Sequence, residues 1–270
     1  MDRVWMYWED LPGRTQAPYL RLCRETVERN AGLAVVVLSR ESVHDYVKLD
    51  GDRWRNLASP VYRSDYLRTR LLYAHGGIWM DSDTIVLQSL SELLIPLEQH
   101  QIVGFGQEAG GRLYPGMLGG RQGAELMRAW MDAQDEAIER GLTSYAALGQ
   151  DISWSTIAPG AGYWPLAQVA PVMWWEWRRF ASRLDSPARV LAADPVTIVL
   201  WNSGMDRRFG SLSESELLGG HTLLSRLFRI ALGRSTRQEE ETALTKLAWL
   251  ECLRFSAAGR RLRLKVLGDR

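Results

Sequence analysis

Cysteine is nearly absent: the 270 residues hold Cys23 and Cys252, each without a neighbouring Cys or His. That pattern excludes a disulfide framework and a zinc knuckle, and it suits a reducing cytosol. Charge of one sign is lacking as well. Lys and Arg number 33 and Asp and Glu 32, a net charge of +1, so no global field points to nucleic acid. No apolar run approaches the roughly 18 residues of a membrane span. The opening stretch, "MDRVWMYWEDLPG", turns acidic within ten residues and has no signal-peptide core, so a cytoplasmic location is expected. Internal repeats, low-complexity segments and a P-loop are missing, and the glycines of 104–120 do not follow the strand, G-x-G-x-x-G, helix order of a dinucleotide site.

What is present is an ordinary globular balance, 46% hydrophobic and 24% charged, with 12 tryptophans. Tryptophans at that density supply core volume or flat surfaces for sugars and bases. "RVWMYW" reads as a first strand, and Tyr19, Leu20, Cys23 and Val27 recur at helical spacing up to Gly32. "LAVVVLS" has the continuous apolar character of a buried parallel strand. Ser39 is placed to cap a short helix carrying Val43, Tyr46 and Val47. A further helix is predicted from Pro60 to Ala74, capped by Ser59 and stopped by Gly76 and Gly77, with "IWM" as the next strand. Alternation of strand and helix predicts an α/β sandwich of nucleotide-binding topology. Downstream, 122–138 and 145–157 read as helices and "VTIVLW" (196–201) as a late strand. From about residue 213 the chain turns helical, with Thr236 and Glu239 spaced as a capping box.

The chemistry concentrates in "GGIWMDSDT", where Asp81 and Asp83 follow a short buried strand. Open α/β sheets bind ligands at that end of their strands. On the preceding helix Asp65 and Arg68 are neighbours, and at about 100° per residue they lie opposite Arg63 and Arg70. With Arg63 and Arg70 toward water, Asp65 and Arg68 face inward, either as an internal ion pair or toward a ligand. Carboxylates alone repel a phosphate, by roughly 4 kcal/mol each at 4 Å and an effective dielectric near 20. A divalent cation, Mg²⁺ or Mn²⁺, reverses that sign by bridging carboxylate and diphosphate.

"SDYLRTRLLYAHGGIWMDSD" (64–83) resembles the S-D-x-x-R…G-G-x-x-x-D-x-D signature of DXD glycosyltransferases, including bacterial capsular polysaccharide synthesis glycosyltransferases and Och1-like mannosyltransferases. The opening "VWMYWEDLPGRTQAPYLRLCRETVERN" is similar to the capsular group too. The resemblance implies a GT-A fold, a Rossmann-like α/β/α nucleotide-diphospho-sugar transferase. Its catalytic domain would span 1–212, with a helical extension at 213–270 packed on it. It implies a UDP- or GDP-sugar donor, a glycan, lipid-linked or small-molecule acceptor, Mn²⁺ or Mg²⁺, and retention of configuration. Asp83 becomes the principal metal ligand with Asp81 beside it; in "VLWNSGM" (199–205) many relatives place a histidine ligand where this chain has Val199 and Leu200, and Asn202 and Ser203 are the nearest polar substitutes. Trp8, Asp65, Arg68, Gly77 and Asp81 form the implied donor set. "GQDISW" (149–154) makes Gln150 and Asp151 candidates near the reacting carbon, alongside Asp65 and Arg68.

Two other classes fit parts of the pattern. A non-catalytic carbohydrate-binding protein would use the tryptophans as platforms. A D-x-D-x-T phosphatase matches "IWMDSDT", but the later acidic motif of that class is missing. Near the end, "TLLSRLFRIALGR" (222–234) spaces Leu223, Leu227 and Ile230 as a helical stripe between arginines, and "RRLRLK" (260–265) adds basic charge. These read either as a packed helical cap or as a peripheral membrane contact.

Overall fold

A computed structural model describes residues 3–10, 16–49, 51–204 and 207–255. Eight strands form two sheets. They are β1 (Arg3–Tyr7), β2 (Ala34–Leu38), β3 (Gly77–Met80), β4 (Thr84–Val86), β5 (Ile102–Gln107), β6 (Arg112–Gly120), β7 (Gly162–Trp164) and β8 (Thr197–Val199). The main sheet has the order β2-β1-β3-β6-β5-β7. Only β6 runs against its neighbours; β1 pairs in parallel with β2 and β3, and β5 in parallel with β7. Strands β4 and β8 form a separate antiparallel ribbon, with Thr84 opposite Val199. The expected α/β class is therefore the observed one.

The principal helices are α1 (Pro18–Asn30), α2 (Pro60–His75), α3 (Glu125–Arg140), α4 (Glu214–Gly219), α5 (Leu223–Ala231) and α6 (Arg237–Phe255). The local signals act as expected around α2. Ser59 accepts a hydrogen bond from the Tyr62 N–H at 3.2 Å, Pro60 opens the helix, and Gly76 closes it at φ 69°, its N–H on Leu72 O at 2.8 Å. That left-handed turn needs glycine and feeds the chain straight into β3. Thr236 and Glu239 exchange backbone-to-side-chain hydrogen bonds as a capping box.

One face of the main sheet packs Trp5, Trp79, Leu118 and Ile102 against α2 and α3. The other packs Val4, Met6, Ile78, Met80, Phe105 and Met117. A third cluster joins α1 (Leu20, Leu22, Cys23) to Ile85 and Ile198 of the ribbon and to Leu217, Leu223, Leu224, Leu227 and Phe228 of α4 and α5.

One expectation is corrected here, and one pair of alternatives is decided in favour of the packed helical cap. Arg63 and Arg70 do not face water: they are 7% and 5% exposed. Arg63 pairs with the Glu9 carboxylate at 2.5 Å, and Arg70 with Asp135 at 2.7 Å while its guanidinium stacks on Tyr66. Helix α2 lies between the sheet and α3 and has no solvent side, so a two-faced wheel does not apply to it. The 222–234 stripe is not a membrane-facing surface. Leu223 and Leu227 are fully buried, Ile230 packs on the same cluster, and Arg226 is itself buried. The 260–265 segment lies outside the described residues.

Candidate active site

A cleft of about 680 Å³ opens at the carboxyl ends of β1 and β3. Trp8, Asp65, Arg68, Asp81, Asp83, Gln150 and Asn202 all line it. Asp81 comes directly after β3, and its N–H is held by Gly116 O across the sheet at 2.7 Å. Asp83 precedes β4, where the chain crosses to the ribbon. The stretch after β8 returns onto it: Leu200 N–H donates to Asp83 O at 2.9 Å and Asn202 N–H to the Asp83 carboxylate Oδ2 at 2.6 Å. Between these two contacts Trp201 adopts φ 57°. A bulky residue in that left-handed region is strained, by roughly 1–2 kcal/mol. The turn holds both ends of the Asp83 clamp and places the indole on the cleft wall, with Nε1 donating to Val172 O at 2.8 Å.

Arg68 is the hub. Its NH2 reaches Asp81 Oδ1 at 2.9 Å and Asp65 Oδ1 at 3.2 Å, its NH1 donates to Pro115 O at 2.5 Å, and its Nε is buried without a partner. Asp81 Oδ1 also accepts from Trp79 Nε1 at 2.8 Å. The internal ion pair and the ligand-facing pair, alternatives in the sequence, thus coexist on one cleft wall. Asp65 approaches the backbone of Gly149 so closely that a β-carbon there would lie 2.7 Å from its Oδ2. Only glycine fits at 149.

The charges do not balance locally. Burial, reinforced by Asp81 and opposed by Arg68, pushes the Asp65 carboxyl up to about 7. Burial and then Asp81 push Asp83 up to about 6. Three carboxylates share one guanidinium, and each ionisation penalises the next.

The donor set is not gathered whole. Gly77 opens β3 at the end away from the acids and is buried in strand pairing with Gly120. Asp151 is exposed and accepts from Ser144 Oγ at 2.6 Å, outside the cleft lining, whereas Gln150 points into it. The Asn202 side-chain oxygen is taken by the Tyr19 hydroxyl, and the Ser203 side chain lies outside the described residues. Sequence reasoning missed Tyr19, Tyr145, Gly149 and Trp201. Trp201 carried a signal as the residue before the singled-out Asn202, and Gly149 as the first residue of "GQDISW".

Among the described residues no group of three or more His, Cys, Asp or Glu could hold a metal ion. The residues nonetheless fit a cation shared with a substrate. Asp81 keeps Oδ2 clear of Arg68 and Trp79, and Asp83 keeps Oδ1 clear of Asn202. Mg²⁺ and Mn²⁺ commonly take one or two carboxylates and complete their shell with phosphate and water.

Several solved structures resemble the chain at low identity. The galactosyltransferase LgtC, solved with donor and acceptor sugar analogues, is 14% identical, with 87% of this chain and 96% of that one covered and a TM-score of 0.46. PaToxG glycosyltransferase is 14% identical, with 87% of each chain covered and a TM-score of 0.45. The glycosyltransferase GlyE of Streptococcus pneumoniae TIGR4 is 11% identical, with 86% of this chain and 64% of that one covered and a TM-score of 0.45. No curated protein sequence matches the chain. Residues 1–108, by contrast, match the family described as capsular polysaccharide synthesis protein, so the resemblance read from the sequence is found again over the stretch that carries Asp65, Arg68, Asp81 and Asp83.

Proposed function

We propose that the chain is a metal-assisted GT-A glycosyltransferase that moves a sugar from a UDP- or GDP-sugar to an acceptor, with retention of configuration. The observation that carries this reading is the surplus of acid in the cleft: Asp65, Asp81 and Asp83 against Arg68 alone. Such a site is electrostatically unfinished until a cation and its anionic ligand arrive together. The family match over residues 1–108 supports it.

Asp83, with Asp81, would hold Mn²⁺ or Mg²⁺, which when bound supplies charge stabilisation to the leaving diphosphate. The other roles belong to side chains and backbone. Arg68 brings positive charge to the cleft wall for a diphosphate, and its two acidic partners keep the guanidinium fixed. Trp8 offers an aromatic wall to the base. Gln150 is the candidate that faces the reacting carbon, while Asp151 turns away. Positioning and fixed charge supply most of the rate, because the donor brings its own leaving group. We take 1–212 as the catalytic body and the chain from 213 on, described as far as Phe255, as an extension whose α4 and α5 share the α1 core, in a cytoplasmic protein.

A thermal-shift screen of UDP- and GDP-sugars with Mn²⁺ tests this. One donor is expected to stabilise the wild type, by about 2.7 kcal/mol at a hundredfold excess over Kd, and Asp83→Asn is expected to abolish the shift. Donor turnover that continues in EDTA would overturn the metal assignment. Binding of sugars without any nucleotide-sugar binding would favour the carbohydrate-binding alternative.

A further inference from the structure

The cleft runs across the strand ends in the order that the sheet dictates. Trp8 follows β1, Asp81 follows β3, Tyr114 and Pro115 lie on β6, and Phe105 lies on β5. Among the described residues, every charged group that lines it belongs to the first half: Glu9, Asp65, Arg68, Asp81 and Asp83. The β6–β5 half, bordered by Tyr145, Gln150, Val199, Trp201 and Asn202, brings no charge. Aromatic rings stand there instead. Trp201 meets Phe105 at 5.7 Å and Tyr114 at 5.3 Å, both edge to face, and its Nε1 is tied to Val172 O. The indole is therefore fixed from behind and half-buried, with the cleft in front of it.

Two layers of the fold supply the walls. Trp201 packs on the cluster that holds Phe105 and Tyr114, on one face of the main sheet. Tyr145 comes from the other layer, where Leu148 and Ile152 pack with α2 and α3 and the Tyr62 hydroxyl donates to Ser144 O at 2.8 Å. Tyr145 is 68% exposed, more than any other large apolar side chain among the described residues, and it borders the cleft. Gln150, on the same segment, offers an amide that makes no hydrogen bond among the described residues. A pyranose has a face of C–H groups and a rim of neutral hydroxyls, and uncharged aromatic walls with a few polar groups match both. A phosphate or carboxylate there would meet no cation and would lie beside the surplus acids. An alkyl chain would cover the Gln150 amide without giving it a partner.

We propose that Trp201 and Tyr145 form the acceptor subsite, and that it takes a neutral hexopyranoside and rejects a uronic acid or a phosphorylated sugar. The acceptor role rests on the glycosyltransferase reading; the sugar subsite itself rests on the walls. With the diphosphate at the Asp81–Asp83 centre and the base against Trp8, the β6–β5 half is what remains for the two sugars. An acceptor hydroxyl oxygen bonds to the anomeric carbon as the donor's bond from that carbon to the diphosphate oxygen breaks. The electron pair leaves on the diphosphate, which also takes the hydroxyl proton. Specificity here is partly repulsive: the surplus carboxylates that call for a cation also turn away an anionic acceptor.

Saturation-transfer NMR on the full chain, with Mn²⁺ and UDP or GDP present, is the test. The probes are the methyl glycosides of glucose, galactose and mannose, with methyl glucuronide as the charged counterpart. At least one neutral glycoside is expected to receive saturation from the protein, and methyl glucuronide none. Tyr145→Ser is expected to weaken that binding about tenfold and Tyr145→Phe to keep it, since the ring and not the hydroxyl is the wall. Tyr145 is exposed, so neither change should move the melting temperature. Trp201→Leu is expected to abolish glycoside binding; a thermal melt shows whether it folds, and its nucleotide-sugar shift shows whether the donor half is intact. No transfer to any neutral glycoside, equal transfer to methyl glucuronide, or wild-type glycoside binding by Tyr145→Ser would overturn the proposal. So would loss of the nucleotide-sugar shift in a folded Trp201→Leu, which would give the indole to the donor. The two readings fail separately. A wild type with no nucleotide-sugar shift sinks the glycosyltransferase reading, and one with that shift but no glycoside binding sinks the acceptor subsite alone.

Discussion

The cleft and the layer formed by α5 and α6 both bury charge, and they settle it differently. In the helical layer, Glu240 receives Arg229 through two bonds of 2.7 Å and Ser235 through one of 2.5 Å. Arg229 spends its remaining donors on Leu218 O and Gly220 O, and Arg226 donates to Arg183 O. Burial alone would raise the Glu240 carboxyl; the bonds from Arg229 and Ser235 win and hold it below the usual range. In the cleft, burial wins instead, and Asp65 and Asp83 rise to about 7 and about 6. A buried carboxylate whose oxygens are all taken up by fixed donors, as those of Glu240 are, is architecture, even though Arg226 Nη1 beside it stays unpartnered. A set left with a surplus needs something from outside.

That contrast can be broken experimentally. The largest effect is expected from Asp83→Asn, which should cut transfer about a thousandfold or more without lowering the melting temperature, because it removes a repulsive charge. Steady-state kinetics beside a thermal melt checks both halves. An equal loss of stability would place Asp83 among the architectural charges.

Next comes Glu240→Ala, which strands Arg229 and Arg226. We expect a loss of about 3–5 kcal/mol in urea unfolding, with donor affinity of the folded protein unchanged.

A smaller effect concerns pH. Asp65 and Asp83 have folded pKa values above the ordinary 3.8, so the folded state holds extra protons between about pH 4 and 7. Stability of the metal-free protein should therefore fall as pH rises from about 4 to about 7, by up to about 4 kcal/mol between pH 5 and 8. Asp65→Asn should flatten the profile. Mn²⁺ should bind more tightly as pH rises through the same window and offset the loss. Calorimetry with and without the metal would show it, and a rise in metal-free stability toward pH 8 would refute it.

The smallest effect is the exposed Arg24–Glu28 pair on α1, at 2.8 Å. Arg24→Ala should cost no more than about 0.5 kcal/mol and leave activity alone. This sets the baseline against which the buried sets are judged.

How much of this was legible beforehand depended on how local the cause was. Ser59, Pro60 and Gly76 set the limits of α2 through contacts within a few residues, and they could be read directly. Asp81 and Asp83 followed from the strand-end rule. The faces of α2 could not be read, because Arg63 is claimed by Glu9 and Arg70 by Asp135, partners far away in sequence. The stripe on α5 was real, but periodicity does not distinguish a core from a membrane; burial against α1 decided it. The helix expected over 145–157 breaks up, with Gln150–Ile152 the only α-helical turn and a wider turn after it. That break leaves Tyr145 beside the cleft and Gly149 against Asp65. The strand expected over 196–201 stops at Val199, where the Asp83 clamp turns the chain.

The turn at Trp201 has a consequence for variation. A glycine would sit there without backbone strain, and the two hydrogen bonds to Asp83 come from flanking residues. The indole, however, packs on Phe105 and Tyr114 and donates to Val172 O, and losing that packing costs about 3–5 kcal/mol, more than the strain. Heat tolerance and transfer therefore pull this position in the same direction, and a library screened for either should keep the indole at 201.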